Sequence, residues 1–70
     1  MREDDDLLAK VGRVTGRIAP DEIGEVMLPV RGGTEAFYAY AIEPAAVILV
    51  GTRVVVIEFD PPRSVRVQPF

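Results

Sequence analysis

Alternating apolar and polar positions predict a chain built almost wholly of short β-strands. Val26, Leu28 and Val30 occupy every second position of one stretch, a period that places them on one face of a strand. Val65 and Val67 repeat the pattern near the end of the chain. With β-branched residues as further support and turn residues as boundaries, the pattern predicts strands over residues 10–18, 25–31, 35–42, 52–59 and 64–68.

Glycine and proline separate these strands. Pro20 and Gly24 bound the first turn, in which Gly24 is predicted to take a positive φ. The Gly32–Gly33 pair lies at the centre of a predicted hairpin turn, and the last turn falls at residues 60–63. Between the third and fourth strands, residues 43–49 are expected to form at most one helical turn.

The first strand carries two glycines four residues apart, Gly12 and Gly16. Glycine inside a strand usually marks a bend, a bulge or a close backbone approach. Val14 and Ile18 are predicted to lie on the same face of the strand as the two glycines. Two arginines alternate with them and are predicted to point to solvent. Five short strands around such a bend predict an all-β fold, a closed or nearly closed five-stranded barrel in which few sheet edges are exposed.

The fourth predicted strand carries apolar residues on both of its faces. Val54 and Val56 are predicted to face inward, which leaves the other face without the polar residues typical of a solvated surface. The second and third strands add apolar residues of outward parity, so a protein-interaction patch is predicted. Its candidate residues are Met27, Phe37, Val55, Ile57 and Phe59. The alternative is that strand 5, the termini or residues 43–48 cover these side chains.

Length and charge limit the remaining possibilities. A chain of 70 residues allows one domain, and without cysteine or histidine it has neither disulfides nor the usual zinc ligands.

Residues 1–6 hold one arginine and four carboxylates, so the remaining positions carry seven basic and seven acidic residues. We expect a disordered acidic lead over 1–6 and a single barrel domain over 7–70. Consecutive aspartates cannot all point at one ion, which disfavours a calcium site in the lead.

The residues offer little material for catalysis. Ser64 is the only serine and Lys10 the only lysine, so a Ser–Lys nucleophile pair is the one enzymatic arrangement to consider. Ser64 follows two prolines and an arginine, where it more simply begins a strand. With nothing to orient a base, we expect no enzymatic activity, no cofactor and no small-molecule substrate.

Three clustered aromatic residues favour a second interpretation. Barrels that bind single-stranded nucleic acid stack bases on strand aromatics beside a basic groove, and Phe37, Tyr38 and Tyr40 with nearby arginines are candidates for this role. Acidic residues interleave with those arginines, and the body of the chain is charge-balanced. Nucleic-acid binding therefore ranks as the alternative to protein interaction.

Glycines, a proline, an alanine and valines follow one another in a specific order along most of the chain. These positions are Gly12, Gly16, Pro20, Gly24, Gly32 or Gly33, Ala36, Gly51, Val54, Val56, Val65 and Val67. Their order and spacing over residues 10–69 resemble the C-terminal soluble domain of NfeD-like proteins. The resemblance implies an OB-fold, a five-stranded barrel, that usually follows transmembrane helices and is encoded beside stomatin- or flotillin-like membrane proteins.

From this resemblance we expect a soluble, cytoplasm-facing domain that is membrane-associated through a transmembrane region of its parent protein. Its partner is expected to be a stomatin- or flotillin-like protein or a second copy of itself. Two features depart from the family pattern. No transmembrane stretch precedes the barrel in this sequence, and nothing matches the serine protease domain of the long NfeD forms.

Overall fold

The computed structural model describes residues 7–70, and the acidic lead predicted for residues 1–6 lies outside them. All five predicted strands are present, with ends within a few residues of those expected. They are β1 (Val11–Gly16), β2 (Gly24–Val30), β3 (Gly33–Ala41), β4 (Arg53–Asp60) and β5 (Ser64–Pro69).

The five strands close into a barrel in the order β1-β2-β3-β5-β4, with β4 paired to β1. Neighbouring strands are antiparallel except β3 and β5, which run parallel. This is the strand order of an OB-fold. No α-helix occurs between residues 7 and 70. The segment predicted to form at most one helical turn contains a hydrogen-bonded turn, in which the Ala46 N–H donates to the Glu43 carbonyl at 3.0 Å.

Strand β1 bends as its glycines predict. Its register against β2 shifts between Val14 and Gly16, which identifies a bulge. Beyond the bulge, Ile18 forms backbone hydrogen bonds in both directions with Ile48. Because Val14 also bonds to the backbone of Thr52 and Gly51, the connection between β3 and β4 runs along β1 before β4 begins.

The prediction that Gly24 takes a positive φ is wrong. The glycines with positive φ are Gly32 (79°) and Gly51 (95°), both in turns. Gly24 instead begins β2 with an ordinary strand backbone. A Cβ atom there would overlap the Cγ1 of Ile18 and lie 3.0 Å from the Gly16 carbonyl oxygen. The position requires glycine because neighbouring atoms occupy the space, not because the dihedral angle demands it.

The barrel interior is filled by aliphatic side chains from every strand. No polar or charged side chain is buried among residues 7–70, so the core contains no desolvated charge. Leu7, Ile18 and Ile48 add to the core from outside the strands. The buried cluster consists of Leu7, Val14, Ile18, Val26, Leu28, Phe37, Ala39, Ala41, Ile48, Val54, Val56, Val65 and Val67.

Candidate interaction surface

The expectation that Phe37 lies on the outer face is wrong. Phe37 is opposite buried Val26 in the β2–β3 ladder, and cross-strand partners share a face. Its side chain is only 5% exposed, and the Arg63 guanidinium lies over its ring at 4.9 Å from the centroid. The other face of β3 holds a threonine, an alanine and two tyrosines, so alternation alone does not distinguish the two faces.

Strand β4 changes face part-way along its length. Val54 and Val56 point inward, as predicted. The β4–β5 register then shifts between Val56 and Glu58, so Ile57 is the extra residue of a bulge. After the bulge, Phe59 is opposite fully buried Val65 and packs against the core. The expectation that Phe59 faces outward is therefore wrong, because a bulge reverses the parity of the residues that follow it.

The other three candidates remain on the outside of the barrel. Met27 and Val55 are half-buried and Ile57 is 42% exposed. Strand β1 lies between β2 and β4, where half-buried Val11 is the cross-strand partner of Val55. Arg13, two positions further along β1, is the partner of Met27. The outward apolar residues of these three strands are defined here as the outer stripe: Val11, Met27, Val55 and Ile57. Arg13 lies between Met27 and the other three.

Sequence reasoning missed the most exposed apolar segment. In the β3–β4 connection, Leu49 is 60% exposed and Val50 is 63% exposed, whereas the residue before them, Ile48, is buried. Residues 44–52 contain no charged residue. An uncharged apolar run in a connection, where turns are usually polar, is the signal that could have identified this segment.

The residues considered for catalysis do not converge. Ser64 is paired in the sheet with Tyr38 and Asp60, while the Lys10 carbonyl accepts from Val56. No hydrogen bond joins Ser64 to Lys10 in the described part of the chain. Residues 7–70 likewise hold no group of three or more acidic side chains that could bind a metal.

The aromatic cluster considered for nucleic-acid stacking is divided by the fold. Phe37 is internal, whereas Tyr38 is exposed on the outside of β3. The Tyr40 ring lies 5.6 Å from the Arg66 guanidinium. Arg66 is in turn 3.6 Å from the carboxylates of Glu58 and Asp60. The face with the stacking candidates is therefore charge-neutralised rather than basic.

One shallow cleft lies at an end of the barrel. It encloses about 180 Å³ between the turn after β1 and the turn after β3. Its walls are mainly alanine, proline and isoleucine, and Tyr40 and Arg66 supply its polar atoms. Because the guanidinium already faces two carboxylates, the cleft offers few uncommitted polar groups for a ligand.

The fold and its exposed side chains place the chain in the class of small OB-fold barrels with apolar outer surfaces. Comparison with known proteins then gives the family, since the model of the NfeD C-terminal domain matches residues 11–68. The chain belongs to this family, and the resemblance inferred from its glycines and valines is confirmed. No curated protein matches the chain.

A solved structure agrees with this assignment. The chain is similar to the soluble domain of the NfeD protein YuaF from Bacillus subtilis, determined in solution, with 30% identity and a TM-score of 0.78. The match covers 94% of this chain and 76% of the other. Between residues 7 and 70, no helix has the length and apolar character needed to cross a membrane.

Proposed function

We propose that this domain is a non-enzymatic protein-interaction or assembly module of an NfeD-like membrane protein. The observation that carries the proposal is the outer stripe. Met27, Val55 and Ile57 lie on the solvent side of a closed barrel, where exposed sheet faces are usually polar. Apolar side chains grouped on the surface of a small domain are typical of a contact site.

The partner proposed for this stripe is a stomatin- or flotillin-like membrane protein, as the family resemblance implies. A non-enzymatic role is supported by the separation of Ser64 from Lys10, since a nucleophile needs a base within hydrogen-bond reach. The closed strand order also favours contact through side chains. A closed barrel offers few unpaired edges for strand addition.

A binding measurement with matched variants tests the proposal. The 70-residue chain is immobilised, and a stomatin-like protein from the same organism is titrated over it in nanodiscs. We expect Ile57→Ser and Val55→Ser each to weaken binding by roughly tenfold in the dissociation constant, because each removes buried apolar contact. Ile23→Ser, which removes an isoleucine that is 65% exposed in the turn before β2, should leave the dissociation constant unchanged.

The result that contradicts the proposal is equal binding by the wild-type chain and both stripe variants, or no binding by the wild type. Circular dichroism and thermal melting of each variant show whether the barrel is intact. Val55 and Ile57 are only partly buried, so their serine variants should fold.

A further inference from the structure

Two arginines lie side by side on the outside of the barrel, and no carboxylate of residues 7–70 pairs with either. Arg13 of β1 and Arg53 of β4 are direct cross-strand partners, and both are exposed. Neither forms an ion pair with any carboxylate of residues 7–70, whereas Arg17 and Arg63 each do. Like charges directly opposite on a sheet destabilise it. This pair therefore contributes an uncompensated positive charge to one place on a charge-balanced domain.

Apolar side chains adjoin this charge. The Arg13 guanidinium donates a hydrogen bond to the Gly51 carbonyl at 3.0 Å, which ties it to the β3–β4 connection. The two residues before Gly51 are Leu49 and Val50, the highly exposed pair of the uncharged segment. On the other side, the Arg53 guanidinium lies 5.5 Å from the centroid of an exposed phenylalanine ring, Phe70.

We propose that Arg13, Leu49, Val50 and Arg53, here called the arginine–loop surface, dock the domain on a bilayer of anionic phospholipid. Guanidinium groups bind phosphate oxygens through paired N–H donors. Leucine and valine at a loop tip insert into the boundary between headgroups and acyl chains, as apolar side chains of interfacial segments do. The loop is anchored for this role, since backbone bonds from Val14 and Ile18 hold both its ends.

The size and symmetry of the surface favour a bilayer over a second copy of the chain. Its exposed apolar side chains offer at most a few hundred Å², compared with the roughly 800 Å² per partner of a stable protein interface. A two-fold contact centred here would also bring the arginines of one copy against those of the other. An anionic bilayer needs no shape complementarity and supplies the missing negative charge.

Vesicle binding by the full 70-residue chain tests this inference. Co-sedimentation is measured with vesicles of phosphatidylglycerol and phosphatidylcholine and with vesicles of phosphatidylcholine alone. We expect the wild type to bind the anionic vesicles at least tenfold more tightly, with the difference reduced by added salt. The variants Arg53→Gln and Leu49→Ser/Val50→Ser should each weaken that binding by roughly tenfold.

Two substitutions elsewhere serve as controls. Arg63→Gln removes an exposed arginine that is paired with Glu35, and Ile23→Ser removes an isoleucine that is 65% exposed in the turn before β2. Both should bind vesicles as the wild type does. Arg53→Gln is preferred to an Arg13 variant because Arg53 makes no side-chain hydrogen bond to the connection. Circular dichroism confirms that each variant is folded.

Several results would overturn the inference. Equal binding to neutral and anionic vesicles would show that the arginines do not direct the domain to a negatively charged bilayer. Unchanged binding by Leu49→Ser/Val50→Ser would exclude insertion of the connection. Concentration-dependent self-association of the wild type, abolished by the same double variant, would instead assign the surface to a second copy. The arginine–loop surface adjoins the outer stripe, because Arg13 is the cross-strand partner of Met27. Ile57 lies four positions along β4 from Arg53, so Ile57→Ser should retain vesicle binding and distinguish the two surfaces.

Discussion

The free space around each glycine determines whether the barrel tolerates a larger residue at that position. At Gly12, a Cβ atom would overlap the backbone carbonyl of Met27, which cannot move without breaking the β1–β2 ladder. At Gly24, it would overlap the side chain of Ile18 and approach a carbonyl oxygen. At Gly33, by contrast, a Cβ atom would have no neighbour within 4 Å, and the backbone does not have a positive φ. Strand glycines of one sequence therefore differ in their tolerance of substitution.

Gly24→Ala is expected to lower the free energy of unfolding by about 1–3 kcal/mol, the usual cost of adding atoms to a filled core. Gly33→Ala is the matched control, since it adds the same methyl group in open space, and it should be neutral or slightly stabilising. Urea unfolding of the two variants measures the difference. Equal stability of both variants would mean that Ile18 moves aside freely and that packing does not explain Gly24.

At the scale of the strand, the bulge in β4 decides which apolar residues enter the core. Val56 and Phe59 are three positions apart, so a regular strand would place them on opposite faces. The bulge at Ile57 inserts one residue and lets both side chains point inward. The same bulge leaves Ile57 as the most exposed apolar side chain of β4. One irregularity thus determines both a part of the core and a part of the outer stripe.

Serine substitutions on β3 and β4 should report these faces. Phe37→Ser should lower the free energy of unfolding by roughly 3–5 kcal/mol, the range for removing a buried phenyl ring, and for a domain this small it is expected to abolish folding. Ile57→Ser should cost less than about 1 kcal/mol because its side chain is largely solvated already. Thermal melting followed by circular dichroism compares the two. A folded Phe37→Ser variant with unchanged melting would contradict the inward assignment of Phe37.

At the scale of the whole molecule, ion pairing determines where the surface is charged. Arg17, Arg63 and Arg66 are each held within 4 Å of a carboxylate, so their positive charge is locally cancelled. These exposed pairs contribute little to stability individually. Their main effect is on the surface potential, since they leave the face of β3 and β5 close to neutral and the Arg13–Arg53 pair uncompensated.

Single-stranded DNA or RNA is nevertheless expected to bind only negligibly at physiological salt, because the Arg13–Arg53 pair lies on β1 and β4 whereas the stacking tyrosines lie on β3. Affinity for nucleic acid comes largely from cations that replace counterions on the phosphates, and the arginine beside Tyr40 already faces Glu58 and Asp60. Fluorescence anisotropy of a labelled oligothymidine measures this. Micromolar, salt-sensitive binding that is lost in Tyr38→Ala and Tyr40→Ala would show the opposite and restore the nucleic-acid interpretation.

Much of this fold can be predicted from local pattern. Strand positions follow from period-two alternation, and turns follow from glycine and proline, because both depend on the backbone preferences of neighbouring residues. The inward valines of β4 and β5 are predictable for the same reason. The sequence also indicates the family, through the order of its glycines and valines, and with it the OB-fold. It indicates the outer surface only in part: of the five residues predicted to face outward, Met27, Val55 and Ile57 do so, and the two phenylalanines do not.

The surfaces depend on the pairing between strands. Phe37 is internal because the register of the β2–β3 hairpin makes it the partner of buried Val26, whereas an apolar residue on either face of β3 satisfies the local pattern equally well. The bulge at Ile57 depends on register against β5, which no β4 residue specifies alone. Likewise, Arg13 and Arg53 become neighbours only when β4 closes onto β1. Alternation constrains each strand separately, whereas closure of the barrel determines which side chains meet and which remain in solvent.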